Sequence, residues 1–298
     1  MQKKHLLLAV LVTGVWGVNF PVTKLGLVAI DPLLLTALRF TLAALPWVFF
    51  VPRPQVALRW LAGYGLIFGV AMWALINQGI AWGVPPGMAS LLIQFSAFFT
   101  LGWGALLFGE RLRPHQWVAS ALAAVALAAI VLFSPGEMSK AGLALVIASA
   151  VAWSIGNVII KLSKVREIFA FVVWASVFVP IPLLLLTWLL HGSAPFTALP
   201  GQLNAITLCS LAFQVYAATH FSYWGWNLLL REYPVSQVAP LSLLIPLFGL
   251  FSSMAMLGQH PGPADWALIL LVLLALAIGA GKVPLGRWRA PAAISSRQ

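Results

Sequence analysis

Charged side chains are scarce in this sequence, and acidic ones are the scarcest. The 298 residues include 17 Lys and Arg but only 6 Asp and Glu, so charged residues make up 8% of the chain, against roughly 25% in soluble domains. With 62% hydrophobic residues, too little polar sequence remains to cover a water-soluble globule. The composition therefore predicts a membrane protein, most of whose outer surface contacts the lipid bilayer.

Further shortages exclude other classes of function. Cys209 is the only cysteine, which excludes an internal disulfide and a cysteine-based metal cluster. Despite a net charge of +11, the basic residues stand singly between apolar runs and form no contiguous basic face, so no nucleic-acid partner is expected. No motif indicates a metal ion or another cofactor.

Long apolar runs take up most of the chain. Windows of roughly 17 to 25 apolar residues give ten candidate membrane spans, centred near Val15, Ala43, Val70, Phe98, Ala124, Ala150, Val179, Ala217, Ile245 and Leu271. The connections are short, so no extramembrane domain is expected. Because helices satisfy their own backbone hydrogen bonds in hydrocarbon, and because these runs are too long for barrel strands, the predicted fold is an all-α membrane protein.

The basic residues also predict the orientation of the spans. In the ten-span arrangement one side carries Lys3, Lys4, Arg53, Arg59, Arg111, Arg113, Lys161, Lys164, Arg166, Arg231, Lys282, Arg287, Arg289 and Arg297. Lys140 stands in a connection on the other side. By the positive-inside rule both termini are expected in the cytoplasm.

Two echoes in the sequence indicate an internal repeat. Residues 16–24 read WGVNFPVTK and residues 153–161 read WSIGNVIIK, at the first and sixth predicted spans; Gly109 and Trp117 recur as Gly258 and Trp266. Because five spans is an odd number, the second half enters the membrane in the opposite sense, as in secondary transporters. The predicted repeats are 1–136 and 137–298, the second with a basic cytoplasmic tail. Chance similarity of apolar segments is the alternative.

Four stretches carry a family likeness: WGVNF at 16–20, PLLLTALRF at 32–40, GMASLLIQFSAFFTLGWGALLFGERL at 87–112 and APLSLLIPLFGL at 239–250. They resemble the EamA family of the drug/metabolite transporter superfamily. The resemblance implies ten transmembrane helices in two inverted five-helix repeats in the bacterial inner membrane. It also implies export of small amino-acid metabolites, such as cysteine, O-acetylserine or other amino acids, by alternating access around a central cavity.

Polar residues inside the spans are candidates for the substrate pathway, because each needs a partner or water in the bilayer. On the eighth span, Tyr216, His220, Tyr223 and Asn227 fall within about a 60° arc of an α-helix, and Trp224 borders them. Lining a cavity, this stripe suits a zwitterionic or aromatic solute. A seam between helices, with satisfied polar contacts, is the alternative.

Further candidates lie on four other spans. They are Trp16, Asn19, Gln78, Gln94, Trp153 and Asn157. Gln78 shares an α-helical face of the third span with Tyr64 and Ala71. On the same span, Gly65 and Gly69 form a GxxxG pattern that favours close helix packing.

Arg39 is the strongest single anomaly. The second span starts near Leu33, which places Arg39 roughly 9 Å deep at 1.5 Å per residue. Its guanidinium either clamps a substrate carboxylate in a bidentate manner or pairs with Asp31 or carbonyls at the extracellular edge. Arg39 and Gln94 are the leading predicted pair for recognition of the carboxylate and the polar side chain of the substrate.

His220 is the deepest histidine, and no Asp or Glu lies deep in a predicted span. Because imidazole changes its charge near neutral pH, His220 is predicted to carry or gate the proton if export is proton-coupled. Facilitated diffusion, with a neutral and hydrogen-bonded His220, is the alternative, since burial opposes protonation.

An enzyme is not expected from this sequence. Membrane-embedded catalysis needs paired carboxylates, a His/Asp couple or metal ligands at bilayer depth, whereas the acids stand at span ends and in connections. We therefore predict a secondary transporter of small molecules. A membrane-embedded enzyme and a non-transporting scaffold subunit are the alternatives.

Overall fold

A computed structural model describes residues 1–133, 139–233 and 238–281, and these residues form helices and no β-strand. The helices are α1 (Lys3–Leu27), α2 (Pro32–Phe49), α3 (Leu58–Ala81), α4 (Pro86–Phe108), α5 (Pro114–Phe133), α6 (Lys140–Ser163), α7 (Ile168–His191), α8 (Ala194–Gln202), α9 (205–232), α10 (Leu244–Leu257) and α11 (Pro263–Gly279). The all-α prediction is confirmed. The predicted repeat boundary at 136/137 and the basic tail lie outside the described residues.

The number of helices long and apolar enough to cross a membrane is smaller than the predicted number of spans. Within the described residues there are six, or up to seven if α8 and α9, which meet at a 101° bend, form one span. Three further apolar helices, in α5, α10 and α11, are shorter. α10 has 14 residues and α11 has 17, so at 1.5 Å per residue they are shorter than a hydrocarbon core of about 30 Å.

Local signals set several helix ends. Asp31 caps α2 by accepting hydrogen bonds from the Leu33 and Leu34 amides, with Pro32 at the first helical position. Pro fits there because that amide has no partner within the helix. α4 and α10 both end on a glycine at φ 63°, Gly109 and Gly258, a conformation that costs glycine little. These two glycines occupy corresponding positions in the predicted internal repeat.

Two helices contain π-helical stretches. They are Gly65–Met72 in α3 and Phe213–Phe221 in α9. In a π-helix each amide bonds to the carbonyl five residues back, which widens the turn and changes which residues share a face. The Thr219 hydroxyl follows this spacing and donates to the Gln214 carbonyl at 2.8 Å.

The helix contacts have an internal symmetry. α1 packs on α9 and α10, and α6 packs on α3 and α4. Three further pairs are α2 with α7, α4 with α10, and α5 with α11. This pattern is unchanged when α1 to α5 are exchanged for α6, α7, α9, α10 and α11 in that order.

Many basic residues gather at one end of the bundle. Arg53, Lys164 and Arg166 surround one depression at this end, and Arg166 and Arg231 line a neighbouring one. At the opposite end, where α1 and α7 finish, His191 and Asp31 form an ion pair with 2.7 Å between Nδ1 and Oδ2. The segregation of the basic connections predicted from the sequence is therefore present among these residues.

Candidate functional site

A buried arginine lies where four helices meet. We call the space around it the Arg39 cavity. Its lining comes from α2 (Arg39, Phe40), α3 (Tyr64, Gly65, Phe68, Gly69, Trp73), α7 (Val172, Ala175, Ser176, Val179) and α9 (Thr219, Tyr223). Under the contact symmetry, α2 and α3 correspond to α7 and α9, so both halves of the chain contribute to the walls.

The Arg39 guanidinium is held by an aromatic ring and a hydroxyl. It lies over Trp73, 3.7 Å from the ring centre, and its Nη2 donates to the Thr219 Oγ1 at 3.2 Å. The Tyr223 hydroxyl is also near. Arg39 is only 2% exposed, and a cation–π contact in such a dry site contributes about 2 kcal/mol.

Arg39 has spare hydrogen-bonding capacity and no acidic neighbour in the described structure. Its Nε and Nη1 atoms are buried and find no acceptor among the described residues. No Asp or Glu is among the described residues that line the cavity. The predicted alternative of an Arg39–Asp31 pair is wrong, because Asp31 caps α2 and pairs with His191 instead. The cavity therefore presents an uncompensated cation, which favours an anionic group.

The Arg39 cavity is closed in this conformation. Its free volume is about 10 Å³, which is about the minimum for one water molecule. The Tyr64 and Tyr223 side chains interact across it. An amino-acid-sized ligand therefore requires the walls to move apart.

Close packing of α3 on α7 forms one wall. A Cβ atom on Gly65 would overlap the Ala175 carbonyl, and one on Gly69 would overlap the Val179 side chain. The predicted role of these glycines in close helix packing is in agreement with this geometry. Both lie in the π-helical stretch of α3, and Thr219 lies in that of α9; π-helical segments are frequent at functional sites.

Two tryptophans that the sequence predicts as site residues pack against Tyr223 and Phe68 of the cavity from outside its lining. Trp16 packs edge-on against Tyr223, with 5.8 Å between ring centres, and its Nε1 donates to the Ala218 carbonyl at 2.9 Å. Trp153 packs edge-on against Phe68 at 5.8 Å. The two tryptophans of the predicted repeat thus support the cavity from α1 and α6.

The predicted stripe on α9 is divided in the structure. Tyr223 lines the Arg39 cavity, whereas Tyr216 and Trp224 are each 53% exposed on the outer surface. Asn227 lines a separate groove at the basic end. The stripe assumed α-helical spacing, and the π-helical turn at Phe213–Phe221 changes that spacing.

His220 lies beside the cavity and outside its lining. Its Nε2 is 3.0 Å from the Ala43 carbonyl, and its Nδ1 is buried without a partner among the described residues. The ring packs against Trp47, with 4.9 Å between ring centres, and against Phe169 at 5.9 Å. His220 therefore connects α9 to the end of α2.

Gln94 is not brought to Arg39. Its Nε2 contacts the Ser242 carbonyl at 3.4 Å, where α4 meets the 3₁₀ turn before α10. The predicted pairing of Arg39 and Gln94 in one cavity is therefore absent from this conformation.

The other predicted amides also lie outside the lining of the Arg39 cavity. Gln78 is half-buried on α3, while its neighbour Asn77 is fully buried and donates to Thr36 Oγ1 at 2.9 Å. Asn157 donates to Thr100 Oγ1 at 3.1 Å. Asn19 is buried, and its Oδ1 has no partner among the described residues.

Sequence reasoning missed Phe68, Trp73 and Thr219 as cavity residues. On α3 the lining residues are 64, 65, 68, 69 and 73. Positions 64 and 73 would lie on opposite sides of an α-helix, so they share one face because the turn between them is widened. The sequence does offer one clue: Trp73 is an aromatic residue that can shield a buried guanidinium.

Comparison with known proteins now decides the family. The profile of the EamA-like transporter family matches residues 3–132 and again residues 140–279. The chain belongs to the EamA-like transporter family. It is therefore a membrane transporter and not an enzyme, and the family likeness read from the sequence is confirmed.

Individual known proteins are similar to this one over most of the chain. A protein from Salmonella typhimurium named "Probable amino-acid metabolite efflux pump" is 39% identical, covering 87% of this chain and 89% of its own length. One of the same name from Escherichia coli is 36% identical, covering 99% and 100%. A solved crystal structure with 19% identity has a TM-score of 0.58 over 91% of this chain and 94% of its own, which supports the fold alone.

Proposed function

We propose that this protein is an exporter of small amino-acid metabolites and that the Arg39 cavity binds the carboxylate of the substrate. The main support is the buried Arg39 guanidinium, which has two nitrogens without a partner and no Asp or Glu among the described residues that line its cavity. A carboxylate supplies the missing charge and accepts two parallel hydrogen bonds from one edge of the guanidinium, from Nη2 together with either Nε or Nη1. The names of the Salmonella and Escherichia relatives support an amino-acid-like substrate.

The rest of the substrate contacts aromatic rings in this proposal. Tyr64, Phe68 and Tyr223 line the same space, and the face of an aromatic ring attracts an ammonium group. The tyrosine hydroxyls and Thr219 provide hydrogen bonds for a polar side chain. Cysteine, O-acetylserine and other amino acids of similar size are therefore the proposed substrates.

Transport proceeds by alternating access between two inverted repeats of five spans each. The contact symmetry of the helices and the two matches to the family profile support this arrangement. Because α2 and α3 face α7 and α9 across the cavity, a movement of one half against the other opens Arg39 to one side and then to the other. The basic end of the bundle faces the cytoplasm of a bacterial inner membrane.

His220 couples export to protons in this scheme. Unperturbed imidazole is the side chain that changes charge closest to neutral pH, and His220 lies beside the cavity. The free Nδ1 is the site that a proton would occupy, while Nε2 holds the Ala43 carbonyl. Protonation would add a second cation near Arg39 and so favour a change in the helix arrangement.

Counterflow in liposomes tests the proposed function. Purified protein is reconstituted with internal unlabelled amino acid, and uptake of labelled cysteine, O-acetylserine and phenylalanine is measured. Methyl esters of the same amino acids serve as competitors that lack the carboxylate. We expect the free acids to compete and the esters to fail; equal competition by the esters would remove Arg39 from substrate recognition, and no counterflow of any solute would reject the exporter.

A further inference from the structure

A second site lies at the basic end of the bundle, away from the Arg39 cavity. It is a groove between the end of α2, the connection from α6 to α7, and the last turns of α9. Arg166 and Arg231 stand in its lining, together with Trp224 and Asn227, and its volume is about 570 Å³. We call it the basic groove. Its size is within the range of small-molecule sites.

The residues that line the basic groove carry a net positive charge. An adjoining depression shares Arg166 and Glu167 with the groove and adds Arg53 and Lys164. Glu167 is the one acid among the residues that line either space. None of the four cations forms a salt bridge within the part of the chain that the structure describes.

One side of the basic groove is apolar and faces outward. Phe169 and Leu228 line it beside Trp224, whose side chain is 53% exposed. Tyr216, two turns away on α9, is also 53% exposed. In a membrane protein this outer surface contacts lipid, and exposed tryptophans are enriched at the level of the headgroups.

The walls of the basic groove are fixed to one another. The Trp174 Nε1 of α7 donates to the Val51 carbonyl at the end of α2, at 2.9 Å. Phe169, in the first turn of α7, packs against His220 of α9. The groove is therefore a site assembled from three helices and not a set of independent surface cations.

We propose that the basic groove binds the headgroup of an anionic phospholipid. The lipid phosphate lies between Arg166 and Arg231, and the acyl chains follow the outer face past Trp224. Cations in a pocket between helices bind anionic headgroups through charge-assisted hydrogen bonds. A small anion in solution would pair with the cations but would leave the apolar wall of the groove uncovered. A phospholipid covers both parts, because its phosphate pairs with the arginines and its acyl chains contact the apolar wall.

The position of the basic groove links lipid binding to the transport site. α2, α7 and α9 form three of the four walls of the Arg39 cavity. A headgroup that joins the basic ends of α7 and α9 stabilises the closed arrangement of these helices. This site does not depend on the identity of the transported solute.

Lipid-dependent thermal stability tests the basic groove. Delipidated protein in a neutral detergent is titrated with phosphatidylglycerol, phosphatidylcholine or inorganic phosphate, and the unfolding midpoint is measured. We expect phosphatidylglycerol to stabilise the wild type and the other two additives to have little effect. In R166Q/R231Q the apparent affinity for phosphatidylglycerol should fall by about thirtyfold, from two lost cations.

Two matched variants separate the basic groove from general surface charge. R59Q/R113Q removes two basic residues outside the groove and should retain the wild-type affinity. R166K/R231K keeps both charges and should retain most of it. An equal loss in R59Q/R113Q, equal stabilisation by phosphatidylcholine, or equal stabilisation by inorganic phosphate would each overturn the proposal. If R166Q/R231Q does not fold, the single variants R166Q and R231Q replace it, and each should lose about fivefold in affinity, from one cation removed.

Discussion

The Arg39 guanidinium of α2 lies over the Trp73 ring of α3, 3.7 Å from its centre. This cation–π contact stabilises a cation away from water. Thr219 accepts a hydrogen bond from Nη2, and Nε and Nη1 remain without acceptors among the described residues. These two nitrogens are therefore available to a carboxylate once the walls of the cavity move apart.

Replacement of Arg39 by lysine tests the proposed carboxylate contact. An ammonium keeps the charge but lacks the planar fork. A hydrogen bond to a charged group contributes about 1.5 to 3 kcal/mol, so we expect the apparent KM in counterflow to rise roughly 10- to 100-fold. R59K, at the exposed basic end, should retain the wild-type KM. Full transport by R39K would contradict bidentate recognition.

Gly69 tests the close packing of α3 on α7. G69A would place a methyl group against Val179, and overpacking of this kind costs about 1 to 3 kcal/mol. The thermal unfolding midpoint should therefore fall. Gly102 of α4 has open space at its Cβ position, so G102A should leave the midpoint unchanged or raise it. Equal midpoints for G69A and the wild type would show that α3 and α7 can move apart at little cost, which would contradict the prediction.

His220→Gln tests proton coupling. The glutamine amide can still donate to the Ala43 carbonyl, which lies 3.0 Å from the histidine Nε2, but it cannot take up a proton. We expect H220Q liposomes to exchange solute and to lose the stimulation by an imposed pH gradient. His260 is exposed in the connection between α10 and α11, and H260Q should respond as the wild type does. A full response of H220Q to the gradient would remove His220 from coupling.

Reporter fusions test the orientation of the bundle. The basic residues predict a cytoplasmic location for a reporter in the connection that contains Arg53 and for one after Arg289, and a periplasmic location for one near Met138. Activity of a periplasmic-specific reporter at the carboxyl terminus would reject the arrangement of ten spans.

Some features of the site were accessible from single residues. Arg39 stands out because a charge within an apolar run is rare and costly, and the structure places it in a cavity. Trp16 and Trp153 stand out because they share a position in the predicted repeat, and both support aromatic residues of that cavity. These predictions needed no knowledge of how the helices pack.

The partners of these residues were not accessible in this way. Thr219 meets Arg39 from 180 positions away in the sequence, and Gln94 meets Ser242 instead of Arg39. The hydropathy of the helices that carry these residues does not distinguish these pairings from others. They depend on which helices are neighbours in the bundle.

The sequence by itself determined the solvent, the helical fold and the family of this protein. Apolar runs of this length must satisfy their backbone hydrogen bonds internally, and four stretches identify an EamA-like chain. Only the tertiary structure decided which polar residues face one another. The physical reason is that the π-helical turns at Gly65–Met72 and Phe213–Phe221 change the spacing along α3 and α9, and that partners for Arg39 come from helices distant along the chain.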